Sequence, residues 1–238
     1  LKQWDKDQAW LDHQHWREME FLRHALLSRA LREQRLMDSA KAEWQQALKS
    51  ANGQRQSLTM LLTLCGQWNW VSEGEDLLWT IVDRFPQEKW ATRALAETLL
   101  IGGQTRPLLR LFDLELKRSP DDLAAMNNLA SVALLLDAKE VKANDLALQV
   151  YQKAPTNSAF AATYAFSLYR LGKSSDALKV MKQIKQKDLD VPAIAGYYGL
   201  ILKASGDTAG ARAYLDKAVK TRLLPEEQRL FAQARTGT

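Results

Sequence analysis

Residues 158–225 match themselves when displaced by 34 positions. Tyr164 returns as Tyr198, Ala165 as Gly199, Leu168 as Leu202, Gly172 as Gly206, Ala177 as Ala211 and Met181 as Leu215. A fixed period of this length constrains a chain more than any local propensity. Each unit is one supersecondary element that cannot bury its apolar face alone, so the units must stack. The prolines keep the same beat. Pro86, Pro120, Pro155, Pro192 and Pro225 are separated by 34, 35, 37 and 33 residues. A proline does not continue a helix interior, so each is expected at a repeat boundary.

The units are helical. Leu, Ala, Gln, Lys and Arg dominate, all strong helix formers, and no alternating run of β-branched residues suggests a strand. The pattern predicts helices over 16–34, a cap by Asp38 or Ser39 opening the next, an exit at Asn52-Gly53, and further helices over 56–68, 72–85 and 87–101. The series continues over 106–119 with Gln104 or Thr105 as cap, then over 121–136 and 145–154, and closes with a short helix over 225–234. Small residues at Ala96, Ala130, Ala165, Gly199, Ala177 and Ala211 let paired helices approach, and large ones at Leu99, Leu168, Met181 and Leu215 fill the space between neighbours. Leu62 stands where a small residue is expected, which predicts wider packing there. Segments 137–145 and 185–191 read as insertions.

Several functions are excluded on inventory. The three histidines, His13, His15 and His24, lie near the start, and Cys65 is the lone cysteine, at an expected core position. They do not make the three or four ligands of a zinc site. There is no phosphate-binding glycine loop and no nucleophile elbow. An enzyme is therefore not expected, nor a cofactor or metal. A net charge of +5 on 238 residues suits an ordinary surface better than a nucleic-acid footprint. No apolar run approaches the ~20 residues of a membrane helix. The chain opens at Leu1 rather than Met, which reads as a fragment whose preceding sequence, an anchor or export signal included, is out of view. The compartment and oligomeric state are left open, with the cytoplasm as the default.

The residues point to a family. Ala147-Leu148-Gln149-Val150-Tyr151-Gln152-Lys153-Ala154-Pro155 resembles the second helix of a tetratricopeptide repeat (TPR), and Asn128-Leu129-Ala130 its first-helix signature. Leu95-Ala96 with Leu99, Gly103, Phe112 and Pro120 forms an ungapped repeat of the same design, as does Leu61-Leu62 with Cys65, Gly74, Leu78 and Pro86. A weaker phase runs back to Leu27-Ser28, Ala40, Trp44 and Ala47. The resemblance implies an all-α solenoid, a right-handed superhelix of about six TPR-like repeats near 21–54, 55–88, 89–122, 123–157, 158–191 and 192–225. A capping lead-in occupies 1–20, and a C-terminal capping helix and tail occupy 226–238.

It also implies a concave groove lined by first helices, binding a protein or peptide partner. Carried onto this chain, the groove positions are Trp90, Arg93, Glu97, Asn127, Asn128, Ser131, Thr163, Phe166, Tyr169, Arg170, Tyr197 and Lys203. The lysine and asparagine set with which some members hold a C-terminal carboxylate is not present in phase. Two other readings stand beside the scaffold: a helical-repeat RNA binder, from charge and period, and a module that self-associates through its tryptophan-rich half. All eight tryptophans lie at or before Trp90, and all six tyrosines at or after Tyr151. Lys179, Lys182, Lys185 and Lys187 read as a solvated face.

Overall fold

The computed structural model describes residues 2–220 and 222–236, and among them there is no strand. The chain divides into two compact units, residues 1–95 and 96–238.

The first unit opens with α1 (Lys2–Asp12) and a short 3-10 turn (Arg17–Met19). The pairs α2 (Glu20–Glu33) with α3 (Met37–Ser50) and α4 (Arg55–Trp68) with α5 (Val71–Arg84) follow, and α6 (Lys89–Ile101) begins within it. α1 lies on α2: Leu11 is buried, Arg23 donates to the Leu11 carbonyl at 3.3 Å, and Gln34 donates to Gln8 Oε1 at 2.9 Å. The tryptophans of this unit are largely consumed internally. The Arg29 guanidinium lies 5.3 Å from the Trp4 ring and 5.1 Å from Trp68. Trp68 meets Trp70 edge-on at 4.9 Å, and Trp70 meets Trp44 at 5.5 Å. Arg32 sits 3.9 Å over Trp70 and pairs with Glu73. Each such cation–π contact contributes about 0.5–2 kcal/mol, depending on how dry it is. Trp10 instead remains exposed, with only an edge contact to Trp16.

The second unit holds the rest of α6, then α7 (Thr105–Arg118), α8 (Leu123–Leu136), α9 (Ala143–Lys153), α10 (Ser158–Arg170), α11 (Ser174–Met181), the short α12 (Gln186–Leu189), α13 (Pro192–Ala204), α14 (Thr208–Ala218) and α15 (Pro225–Thr236). First helices α8, α10 and α13 pack side by side, and second helices α9 and α11 fit behind the neighbouring first helix. The insertion at 185–191 folds as α12 and buries Leu189.

One backbone device recurs through both units. Each first helix ends on a residue with positive φ: Arg35, Asn69, Gly103, Asp137, Gly172 and Gly206, spaced by 34 or 35 residues. The next amide then returns to a carbonyl five residues back, pairing Leu36 with Leu31, Trp70 with Cys65, Gln104 with Leu99, Ala138 with Ala133, Lys173 with Leu168 and Asp207 with Leu202, all at 2.8–3.0 Å. This six-to-one bond satisfies a carbonyl the helix leaves orphaned and turns the chain back for the second helix. The starts of α8 and α10 are matched in the same way. Asp122 accepts from the Ala124 and Ala125 amides, and Asn157 from Ala159 and Phe160.

The cap expected for α3 is corrected and that for α7 is narrowed. α3 begins at Met37 with Leu36 at its cap position, and neither Asp38 nor Ser39 caps it, because the positive φ at Arg35 already reverses the chain there. The wider packing expected at Leu62 is present: α4 and α5 are less closely apposed than α2 and α3, which have the same lengths. Gly74 faces Leu62 from α5, where an added Cβ would lie 3.8 Å from Leu62 Cδ1 and 3.5 Å from Cys65 Cβ. At the equivalent place in the first pair, Ser28 Oγ donates to the Ala40 carbonyl at 2.7 Å. Pro192 marks a repeat boundary as expected, though from the other side than Pro86, Pro120 and Pro155, which follow second helices. It opens α13, where its missing N–H has no helical partner to lose. Of the two cap candidates for α7, Gln104 takes the cap position and Thr105 is the first helical residue, its hydroxyl used elsewhere. Burial, then the Glu73 charge, push the Cys65 thiol up to about 12, with Arg32 opposing, so it is inert core.

Gly172 has open space where a Cβ would go, so its replacement tests the backbone alone. Gly172→Ala is expected to lower unfolding stability by about 1 kcal/mol, and Arg35→Gly, at the equivalent position, to raise it by up to about 1 kcal/mol. Urea titration followed by circular dichroism reads both signs.

Candidate functional site

The C-terminal helix lies on the first helices of the second unit. Pro225 approaches Gly103, Thr105 Oγ1 donates to Glu226, and at the other end Lys203 Nζ donates to the Ala234 carbonyl at 2.6 Å. Between these ends Phe231 is fully buried. Its ring stands edge-on to Tyr197 at 5.4 Å and fills the space left by Gly196, where an added Cβ would come within 2.4 Å of the ring. Ala218 closes the far wall of that space. Tyr197 in turn packs on Phe166 at 4.7 Å, and Phe166 on Tyr169 at 6.2 Å.

Polar groups fix the register of α15. Tyr197 donates its hydroxyl to Glu227 Oε1 at 2.6 Å, and the Leu224 amide donates to Glu227 Oε2 at 3.0 Å. Burial, then the Glu227 charge and hydrogen bond, hold the Tyr197 phenol well above its ordinary range, with a Ser131 hydrogen bond opposing. Acidic Glu226 and Glu227 stand in the first turn of α15, and the Lys203 cation meets its last carbonyls, both favourable ends of the helix dipole. The fit around Leu230 is incomplete. A cavity of about 330 Å³ lies on one side, lined by Tyr169, Leu200, Lys203 and Ala204, and one of about 190 Å³ on the other, lined by Leu135, Phe166 and Arg170.

Of the residues expected in the groove, Phe166, Tyr169, Arg170, Tyr197 and Lys203 therefore come together under α15, and Ser131 reaches it through Tyr197. Arg170 also pairs with Asp137 at 3.4 Å. Asn127 is buried with its Oδ1 unpaired among the described residues, Asn128 is half-buried and Thr163 is buried. Glu97 is exposed in the second unit. Trp90 and Arg93 belong to the first unit, both exposed, with Trp90 Nε1 donating to Glu88 at 2.6 Å. Sequence reasoning missed Thr105, Gly196 and the α15 residues Glu227 and Phe231. An isolated glycine inside a helical pattern is the one signal that marked Gly196. Among the described residues no three His, Cys, Asp or Glu side chains gather as a metal site, and no helix is long and apolar enough to cross a membrane.

No family model and no curated protein matches the chain. Solved structures do. A tetratricopeptide repeat protein from Parabacteroides merdae superposes with a TM-score of 0.50 at 14% identity, over 91% of this chain and 84% of that one. The chain has a TPR-like fold. A thermophilic TPR protein of Thermus thermophilus aligns at 18% identity and a TM-score of 0.48, over 75% of this chain and 97% of that one. YrrB, described as a TPR protein with an unusual peptide-binding site, aligns at 12% identity and 0.47, over 81% and 97%. At these identities the likeness concerns the TPR fold alone.

Tyr197→Phe leaves the ring in place and removes the donor to Glu227. It is expected to weaken the α15 contact by about 1–2 kcal/mol, seen as faster amide exchange in residues 225–236 with exchange in α8 and α10 unchanged. In the native chain that contact is also expected to weaken as the pH rises past about 10, the ordinary phenol value. A phenol whose folded pKa is raised contributes stability that is present below its unfolded pKa and lost as the pH climbs through the folded one.

Proposed function

We propose that this chain is a non-catalytic scaffold that binds a protein or peptide segment on first-helix faces. The observation that carries the reading is the helix already seated there. Phe166, Tyr169, Tyr197 and Lys203 of the second unit supply aromatic planes, a hydroxyl donor and a cation that together accept a segment of polypeptide. Asn127, Asn128, Ser131, Thr163 and Arg170 extend that surface on α8 and α10, and Glu97 lies on α6. Trp90 and Arg93 are proposed as the corresponding contacts of the first unit. Buried aromatics ringed by a few placed polar groups are what concentrate binding energy at protein interfaces.

The RNA reading has less support. The proposed contact residues are mixed in charge, Glu97 among them, and Lys179 of the basic run is engaged by Asp176 at 2.9 Å. The self-association reading has fewer rings to use, since Trp4, Trp44, Trp68 and Trp70 are held in the arginine–tryptophan ladder and Trp10 and Trp90 are the exposed ones.

Peptides selected from a random display library on the full chain test the scaffold. The double variant Asn128→Ala, Tyr169→Ala is expected to lose at least about tenfold in affinity for them, roughly 1.4 kcal/mol, by fluorescence polarisation. Unchanged affinity in that variant would overturn the assignment of the face.

A further inference from the structure

Several features set α15 apart from the other helices of the second unit. Among its described residues Phe231 alone is buried, whereas the first helices α8, α10 and α13 each bury eight. Its polar attachments include Thr105 with Glu226, Tyr197 with Glu227 and Lys203 with the Ala234 carbonyl, and α8, α13 and α14 touch it. Arg235 adds a surface pair with Asp216 at 2.8 Å. Clefts open to solvent flank Leu230 on both sides, so its side chain covers only part of the face beneath it. Leu223 and Leu224 are buried just ahead of it, so the chain is anchored before α15 begins. A helix that buries a single side chain fully belongs to the low-stability end of a fold, the class from which moving elements are drawn.

We propose that α15 is a displaceable, built-in occupant of this face, and that the external ligand is an amphipathic helix of another protein with the same chemistry. That ligand carries a carboxylate four residues ahead of an aromatic ring, as Glu227 stands to Phe231, and a bulkier apolar residue than Leu230 just before the ring. The inference rests on the scaffold reading above and deepens it by naming the ligand class. The requirements follow from the receptor side. The ring needs the hole over Gly196 and Ala218, the carboxylate needs the Tyr197 hydroxyl, and the helix end needs Lys203. The two cavities supply room for the larger neighbour. While α15 is seated, the apparent affinity for any such ligand is reduced by the fraction of molecules whose face is open.

The test uses the full chain and a labelled peptide of residues 222–236. Phe231→Ala in the chain removes the internal anchor but leaves the receptor intact, so it is expected to bind the peptide at least about tenfold more tightly than the native chain does, as an open fraction below about one tenth requires. The same substitution in the peptide is expected to abolish binding, and replacing its Leu230 by Phe to strengthen it. Gly196→Ala fills the hole in the receptor. It is expected to speed amide exchange in residues 225–236 while refusing the peptide. A Phe231→Ala chain of native helicity that gains no affinity overturns the proposal. So does a Gly196→Ala chain whose α15 stays protected, which decides the matter even if Phe231→Ala does not fold. Light scattering that finds a native dimer dissociated by Phe231→Ala would assign the face to α15 of a second copy and equally overturn it. If library-selected peptides are lost in Asn128→Ala, Tyr169→Ala yet bind the native and Phe231→Ala chains alike, the scaffold stands and the displaceable helix falls.

Discussion

The turn that closes each first helix is the constraint from which the rest follows. A residue in the left-handed region, and the amide bond it allows back to the fifth preceding carbonyl, reverse the chain. That device returns every 34 or 35 residues, from Arg35 to Gly206, so each first helix closes in the same way. Small residues are needed only where the reversal brings two backbones closest. That place is served by Ser28 with Ala40, by Leu62 with Gly74 and by Gly199 with Ala211, and the pair with the bulky leucine is the less closely apposed. Gly199 marks the limit, since an added Cβ there would lie 2.9 Å from the Ala211 carbonyl oxygen. The pairing is thus a property of both helices together.

This explains what the sequence showed and what it hid. Gly103, Gly172 and Gly206 are legible as turns because glycine alone enters the left-handed region without steric cost. Asn69 and Asp137 adopt the same conformation with a side chain that tolerates it, and so do not stand out from other polar residues. Arg35 carries no local signal beyond its phase, although the break around it was visible. Phe166, Tyr169, Tyr197 and Lys203 were legible as surface-building residues from repeat position. Their engagement by α15 was not. That helix reads Glu-Glu-Gln-Arg after its opening proline, and a single buried ring leaves no apolar stripe for periodicity to detect. Thr105, close to a glycine pair, looked like a cap because its role is set by a residue 121 positions away.

The uneven use of aromatic residues also has a physical basis. In the first unit, tryptophan rings and arginine guanidinium planes alternate, so the rings act as internal packing for cations that would otherwise need water. In the second unit, tyrosines span the layers, Tyr151 on Tyr164 at 4.9 Å and Tyr198 on Tyr214 at 4.6 Å, while Tyr197 turns its hydroxyl towards the first-helix face. A phenol serves there because it offers a flat apolar body and one donor in the same side chain. The ability of that face to hold a helix comes from this chemistry, and the repeat supplies only its spacing.

Amide hydrogen exchange resolved to single residues tests the central claim directly. If the recurrent turn organises the chain, the amides of Leu36, Trp70, Gln104, Ala138, Lys173 and Asp207, each at a loop where exchange is ordinarily fast, will all be protected to an extent comparable with helix interiors. Rapid exchange at those six positions while the flanking helices remain protected would show that the helices pair without the turn, and would contradict the account.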